Sequence, residues 1–172
     1  MTDRVRIDGR PGVINRHRRY GDWEGDTMVG KGRRSALATM VERKSGYARI
    51  GRADNMRAAT VRRVIARRMR DMPAALRRSM TFDNGKEFAE HRQLAQTLNL
   101  ETYFALPYRS WQRGVNENTN GLLRQFFPKR TDFSRISHQE VARVETLLNE
   151  RPRRRLDYRT PSEVIAKRLC CN

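Results

Sequence analysis

Residues 23–29 run Trp-Glu-Gly-Asp-Thr-Met-Val, and two more short stretches, Ala36 to Glu42 and Tyr47 to Arg52, follow it across turn-forming clusters at Gly30 to Arg34 and Lys44 to Gly46. Strand-forming residues punctuated in this way predict a β-meander. Alternation along the first stretch sets Glu24, Asp26 and Met28 on one face and Trp23, Gly25 and Thr27 on the other. An acid in the middle of such a strand has to be paired, hydrogen-bonded or put to use, because burying it alone is costly.

Outward from the meander the period changes. Val61, Val64, Ile65, Met69 and Met72 recur at helical spacing between Ala58 and Met72, with arginines on the other side. A brief strand, Ser79 to Phe82, then ends in Asp83-Asn84-Gly85, and Phe88, Leu94, Ala95 and Leu98 outline a second helix. Thr102 to Leu106 is a fifth strand, stopped by Pro107. After Gly114 a helical pattern passes through Leu122, Leu123 and Phe126, and Gly121 weakens it by roughly 1 kcal/mol relative to alanine. Ser137 to Glu140 and Thr160 to Glu163 are capping-box patterns that open two last helices, the second with Pro161 at its first position. Three strands, helix, strand, helix, strand and then helices make an α/β fold with a mixed five-stranded sheet flanked by helices. Residues 1–20, arginine-rich and interrupted by Pro11 and Gly12, read as an extended basic arm, with the core domain over 21–172.

Charge narrows the function. Thirty-seven Lys and Arg against 19 Asp and Glu give a formal net charge of +18, which attracts polyanions, nucleic acid above all. No apolar run is long enough for a membrane span, and the first residues lack the apolar stretch of a secretory signal. Adjacent Cys170 and Cys171 are the only cysteines, so a reducing cytoplasm is expected. His17, His91 and His138 are isolated in sequence, which excludes a zinc-type spacing, and no glycine-rich phosphate loop is present.

Three acids stand out against this basic background. Asp26 lies within the first strand, Asp83 ends the fourth, where α/β sheets gather their ligands, and Glu117 opens the helix after Gly114. Each also has an ordinary use: Asp-Asn-Gly is turn chemistry, and a glutamate at a helix start complements the helix dipole. Together they can seat two Mg²⁺ ions, since Mg²⁺ takes oxygen ligands, commonly one or two carboxylates completed by substrate phosphate. A pair of ions clamps both oxygens of an in-line phosphodiester displacement. Arg124 follows Glu117 by two helical turns on nearly the same face, with Asn120 between them, so these are candidate DNA contacts beside the metals. Asn116 and the basic pair Lys129 and Arg130 are further candidates. In the polar loop before the helix, Arg109, Trp111 and Arg113 complete the set. Trp23 and Phe104 read as core, and the run Arg151 to Arg155 reads either as a solvated charge cluster or as a phosphate clamp.

The blocks IDGRPGVINRHRRYGDWEGDTMVG, LATMVERKSGYARI, TFDNGKEFAEH, YFALPYRSWQRGVNENTNGLLRQFFPKRTDF and LNERPRRRLDYRTPSEVI closely resemble the catalytic core of bacterial insertion-sequence transposases of the IS-thirty family. That family lies within the DDE transposase and retroviral-integrase superfamily. The resemblance runs from about Ile7 to Ile165 and makes Asp26, Asp83 and Glu117 the first, second and third catalytic acids, the last two separated by 33 residues. It implies a ribonuclease H-like fold, Mg²⁺ with Mn²⁺ as substitute, cleavage of element ends and 3′-hydroxyl attack on target DNA. It also implies a homo-oligomer, a dimer, assembled on DNA at the bacterial nucleoid. Family members usually carry helix-turn-helix regions ahead of the core, whereas this chain starts almost at the core's own arm. A second reading therefore stands beside the first: a truncated, catalytically silent DNA-binding or interaction module that interferes with a full-length transposase.

Overall fold

The computed structural model describes residues 4–106 and 114–170. The meander forms as the alternation predicts, with β1 (Asp22–Val29), β2 (Ala36–Glu42) and β3 (Ala48–Ala53) paired antiparallel. Strands β4 (Ser79–Phe82) and β5 (Glu101–Phe104) add in parallel on the other side of β1, giving the order β3-β2-β1-β4-β5. A parallel pair needs a crossover, and α3 (His91–Leu98) supplies it between β4 and β5.

Helices cover both faces. Trp23, Met40, Met80 and Phe82 pack with Val61, Ile65 and Met69 of α2 (Ala58–Met69) and with Leu94 and Leu98 of α3. On the opposite face Met28, Leu37 and Ile50 meet Leu123 of α4 (Gly114–Phe126) and Val141, Val144 and Leu148 of α5 (His138–Asn149). Every residue of β2 is buried, as expected of an inner strand covered on both sides. Helix α4 continues through Gly121 without interruption, so packing of Leu123 against the sheet outweighs the weak propensity there. Thr160 and Glu163 exchange both bonds of a capping box at the start of α6 (Pro161–Leu169), and the Ser137 hydroxyl accepts from the Glu140 N–H at the start of α5.

Helix α5 also covers an edge. Among the described residues strand β3 has no strand on its outer side, and its backbone is met by side chains instead. Asn149 accepts from the Ala48 N–H and donates to the Ala48 carbonyl, both at 2.8 Å, and Glu145 accepts from the Ile50 N–H while paired with Arg68. These bonds satisfy polar groups that would otherwise be buried and unmatched.

The expectation of an extended, unpacked arm is corrected. The segment folds into a 3-10 turn, Ile7–Gly9, and a single helical turn, α1 (Gly12–Asn15). Ile7, Arg10 and Ile14 are buried. Arg6 forms a parallel bridge with Phe104, and the Phe104 N–H donates to the Val5 carbonyl at 2.9 Å, so the arm lengthens the sheet beyond β5. The reason is that two isoleucines seven residues apart outweigh the arginines around them by burying their side chains. Among the described residues no helix is long and apolar enough to cross a membrane.

Candidate active site

Strands β1 and β4 run parallel with Glu24 opposite Thr81. Carried two residues on, that register sets Asp26 beside Asp83, and the pleat points both to the face covered by α4. Gly25 makes this possible: a Cβ there would collide with Phe82 Cε1 and lie 2.7 Å from its Cδ1. Phe82 in turn stacks on Phe88 at 4.4 Å, forming an aromatic floor under the acids.

Both aspartates are half-buried and oriented. Asp26 accepts from the Thr27 N–H at 2.8 Å through Oδ1 and from the Asn120 side-chain amide at 3.1 Å through Oδ2. Asp83 Oδ1 accepts from the Gly85 N–H at 2.8 Å, the ordinary Asx-turn bond, so turn chemistry and a site position coexist there. Asn84 donates to the Ala105 carbonyl at 2.8 Å and locks that turn against the end of β5. Arg4 clamps the turn from outside, donating to the carbonyls of Asn84 and Gly85 at 3.0 and 3.1 Å, with its guanidinium 4.4 Å from the centre of the Phe104 ring.

Glu117 is exposed in the first turn of α4. The helix is fixed to the sheet on either side of it. The Asn116 N–H donates to Glu24 Oε2 at 2.9 Å, its side-chain amide donates to the Glu24 carbonyl at 3.1 Å, and the Thr39 hydroxyl meets Oδ1 of both Asn116 and Asn120. Spaced i, i+4, the two asparagines lay one side of α4 along β1, and Glu117, next to Asn116, stays exposed. Asn116, expected as a DNA contact, is wholly buried and ties helix to strand. Asn120 is half-buried, its amide taken up by Asp26. Arg124 turns back to the Pro128 carbonyl at 3.3 Å, and Lys129 and Arg130 are exposed. Arg109, Trp111 and Arg113 lie outside the described residues. Trp23 and Phe104 are core, as the sequence suggests.

Among the described residues no group of three or more His, Cys, Asp and Glu side chains is close enough to hold an ion. The backbone register thus brings Asp26 and Asp83 to neighbouring positions on one face of the sheet, and Glu117 lies in the first turn of the helix covering that face, without the three closing into one cage. Two adjacent carboxylates nonetheless fit what Mg²⁺ takes from a protein when substrate phosphate supplies other ligands. Two features escape a reading of the sequence. Glu87 accepts from the Thr27 hydroxyl at 2.8 Å, and its Oε2 lies near Asp83 Oδ1, at 2.5 and 2.9 Å respectively from where a Gly85 Cβ would stand. Glu24 is wholly buried and paired with Arg43; its place two residues before Asp26 on the same face is the one sequence signal for it.

This sheet order, with acids on two adjacent parallel strands and a third on the helix facing them, defines a ribonuclease H-like core of the integrase type. Residues 16–110 match the integrase core domain family, and the chain belongs to that family. It is 42% identical over 163 residues to the transposase for insertion sequence element IS4351 of Bacteroides fragilis, covering 95% of this chain and 50% of that one. It is 40% identical over 161 residues to transposase InsI for insertion sequence element IS30A of Escherichia coli strain K12, covering 94% and 42%. The chain therefore spans about half the length of the curated relatives it matches. Among solved structures the catalytic core domain of BIV integrase superposes with a TM-score of 0.65 at 19% identity, covering 88% of this chain and 97% of that one. A chain of the simian T-cell lymphotropic virus intasome in complex with a PP2A regulatory subunit gives 0.59 at 17%, covering 76% and 49%.

Proposed function

We propose that this chain is the catalytic domain of an insertion-sequence DNA transposase, a polynucleotidyl transferase that cleaves element ends and joins them to target DNA. The observation that carries this is the parallel register that sets Asp26 and Asp83 at neighbouring strand positions on the face covered by α4, the helix whose first turn carries Glu117. Membership of the integrase core family and the transposase relatives support it. In this reading residues 21–172 are the catalytic domain and 1–20 its arm. The protein works as a homo-oligomer, a dimer, on element ends and target DNA at the bacterial nucleoid.

Asp26, Asp83 and Glu117 are the residues that would hold two Mg²⁺ ions, with Mn²⁺ a substitute. Bound there, the ions supply activation of the attacking oxygen and stabilisation of the leaving 3′ oxygen in an in-line displacement. The chain's own part is to orient: Asn120 fixes Asp26, the Gly85 N–H fixes Asp83, and basic side chains such as Lys129 and Arg130 hold the phosphate backbone. Arg109, Trp111 and Arg113 are proposed as DNA contacts of the loop entering α4, with Asn120 and Arg124 on the helix.

The test is Mn²⁺-dependent joining of a labelled, pre-cut element end to plasmid DNA. Joining by the wild type that is lost in Glu117→Ala is the expected result. Retention of DNA with no product from the wild type overturns the proposal in favour of the silent DNA-binding module.

A further inference from the structure

Beneath the acids lies a charged network that the chemistry above leaves unused. Glu24 is wholly buried and Arg43 is 4% exposed. The Arg43 Nε donates to Glu24 Oε1 at 3.0 Å, its Nη1 donates to the Ile14 carbonyl at 2.8 Å, and its Nη2 meets His17 Nε2. Arg10, 6% exposed, donates to the Thr81 hydroxyl at 2.8 Å and to Asn15 Oδ1 at 3.0 Å. Glu24 precedes Asp26 by two residues, Thr81 precedes Asp83 by two, and Asn116, held by Glu24, immediately precedes Glu117. Two neighbouring sets of buried polar contacts thus reach the elements that carry the acids, Glu24 and Arg43 between β1 and α4, and Arg10 on the β4 residue opposite Glu24, and both sets draw on the arm.

Stability alone is a poor reason for such a network. Withdrawing a carboxylate and two guanidinium groups from water is costly, and apolar side chains of similar volume commonly serve a core as well. What the charged set offers is direction: the guanidinium is a rigid planar fork, and a carboxylate with one oxygen on that fork and the other on a helix N–H fixes the helix in angle as well as distance. Glu24 spans the gap between β1 and the first turn of α4 in this way.

We propose that Glu24, oriented by Arg43, is a positioning residue that sets the first turn of α4, and with it Glu117, against Asp26, while Arg10 sets the Asp83 strand through Thr81. The inference rests on the reading of Asp26, Asp83 and Glu117 as metal-holding acids. The metal site is then built on the arm as much as on the sheet.

The experiment compares the full chain with Glu24→Gln and Arg43→Lys, measuring amide exchange in peptides spanning residues 114–120 and Mn²⁺ binding by calorimetry. Glu24→Gln keeps size and one acceptor but not the charge, and Arg43→Lys keeps the charge but not the fork. Asn116→Ala, which keeps the buried ion pair and the backbone N–H bond to Glu24 but loses the side-chain bonds to the Glu24 carbonyl and to Thr39, separates the side-chain tie from the charged one. The expected result is faster exchange across 114–120 than elsewhere in the chain, and a Mn²⁺ midpoint raised roughly 10–100-fold, the range for loss of groups that orient metal ligands. Variants that lower the thermal midpoint but leave the Mn²⁺ midpoint unchanged at temperatures where they are folded overturn the proposal. Wild-type binding of Mn²⁺ with unaltered exchange at 114–120 in the variants overturns the proposal alone. No Mn²⁺ binding by the wild type with a pre-cut element end present to supply phosphate ligands overturns the catalytic reading together with it.

Discussion

Gly25 lies between Glu24 and Asp26 in β1, and the Phe82 ring occupies the place its side chain would take. Phe82 cannot retreat easily, since it stacks on Phe88 and packs at 6.0 Å against Phe104. Gly25→Ala is therefore expected to destabilise the fold by about 1–3 kcal/mol, the usual cost of overpacking, measured as a lower urea midpoint at unchanged slope. Because Phe82 immediately precedes Asp83, the same variant is expected to lose joining activity at temperatures where it remains folded. Glu42 offers a test in pH. Its burial pushes the carboxyl up, against the opposing pull of donors from Ser45, Lys44 and Gly21. The folded protein therefore keeps this proton to higher pH than the unfolded chain does. The stability tied to it is fully present below the unfolded value, about 4.3, and is lost as pH rises through the raised folded value. Thermal midpoints recorded from about pH 4 to about pH 7 are expected to show this decline in the wild type and less of it in Glu42→Gln.

At the scale of elements, α5 acts as the cover of a sheet edge. Asn149→Ala removes both bonds to the Ala48 backbone and leaves that N–H and carbonyl buried and unmatched, a loss of about 1–3 kcal/mol for each unsatisfied group. The expected outcome is a lower denaturant midpoint with faster amide exchange at Ala48. Elements were also the level most open to reading. The limits of β2 and β4 follow from alternation and turn residues alone, Ala36–Glu42 and Ser79–Phe82. The positions of Asp26, Asp83 and Glu117 within or at the ends of elements could be read in the same way. The network under them could not, because its partners are distant along the chain: Arg43 is 19 residues from Glu24, and Asn116 is 92. Local pattern carries no sign of such pairings. It likewise read the Arg151 to Arg155 run as solvated or phosphate-binding, whereas Arg153 donates to the Leu148 carbonyl and Arg155 to that of Lys44. Those two guanidinium groups fasten loops.

For the whole molecule the governing quantity is its charge of +18. Binding to duplex DNA is expected to weaken steeply with salt, the logarithm of affinity falling with a slope of about −0.9 for each phosphate neutralised. Asp83→Asn removes one negative charge from the site without touching a basic side chain. It is expected to abolish joining while DNA retention, followed by fluorescence anisotropy over a salt series, stays equal or tightens with the same slope. Lys129→Gln with Arg130→Gln is expected to do the reverse, lowering the slope by roughly 1–2 and weakening all sequences alike. The grip of Arg4 on Asn84 and Gly85 has a mechanical consequence as well. Because Arg4 holds two successive carbonyls of the turn that follows Asp83, any displacement of the arm is passed on to that turn, and the arm acts as a brace behind the second acid.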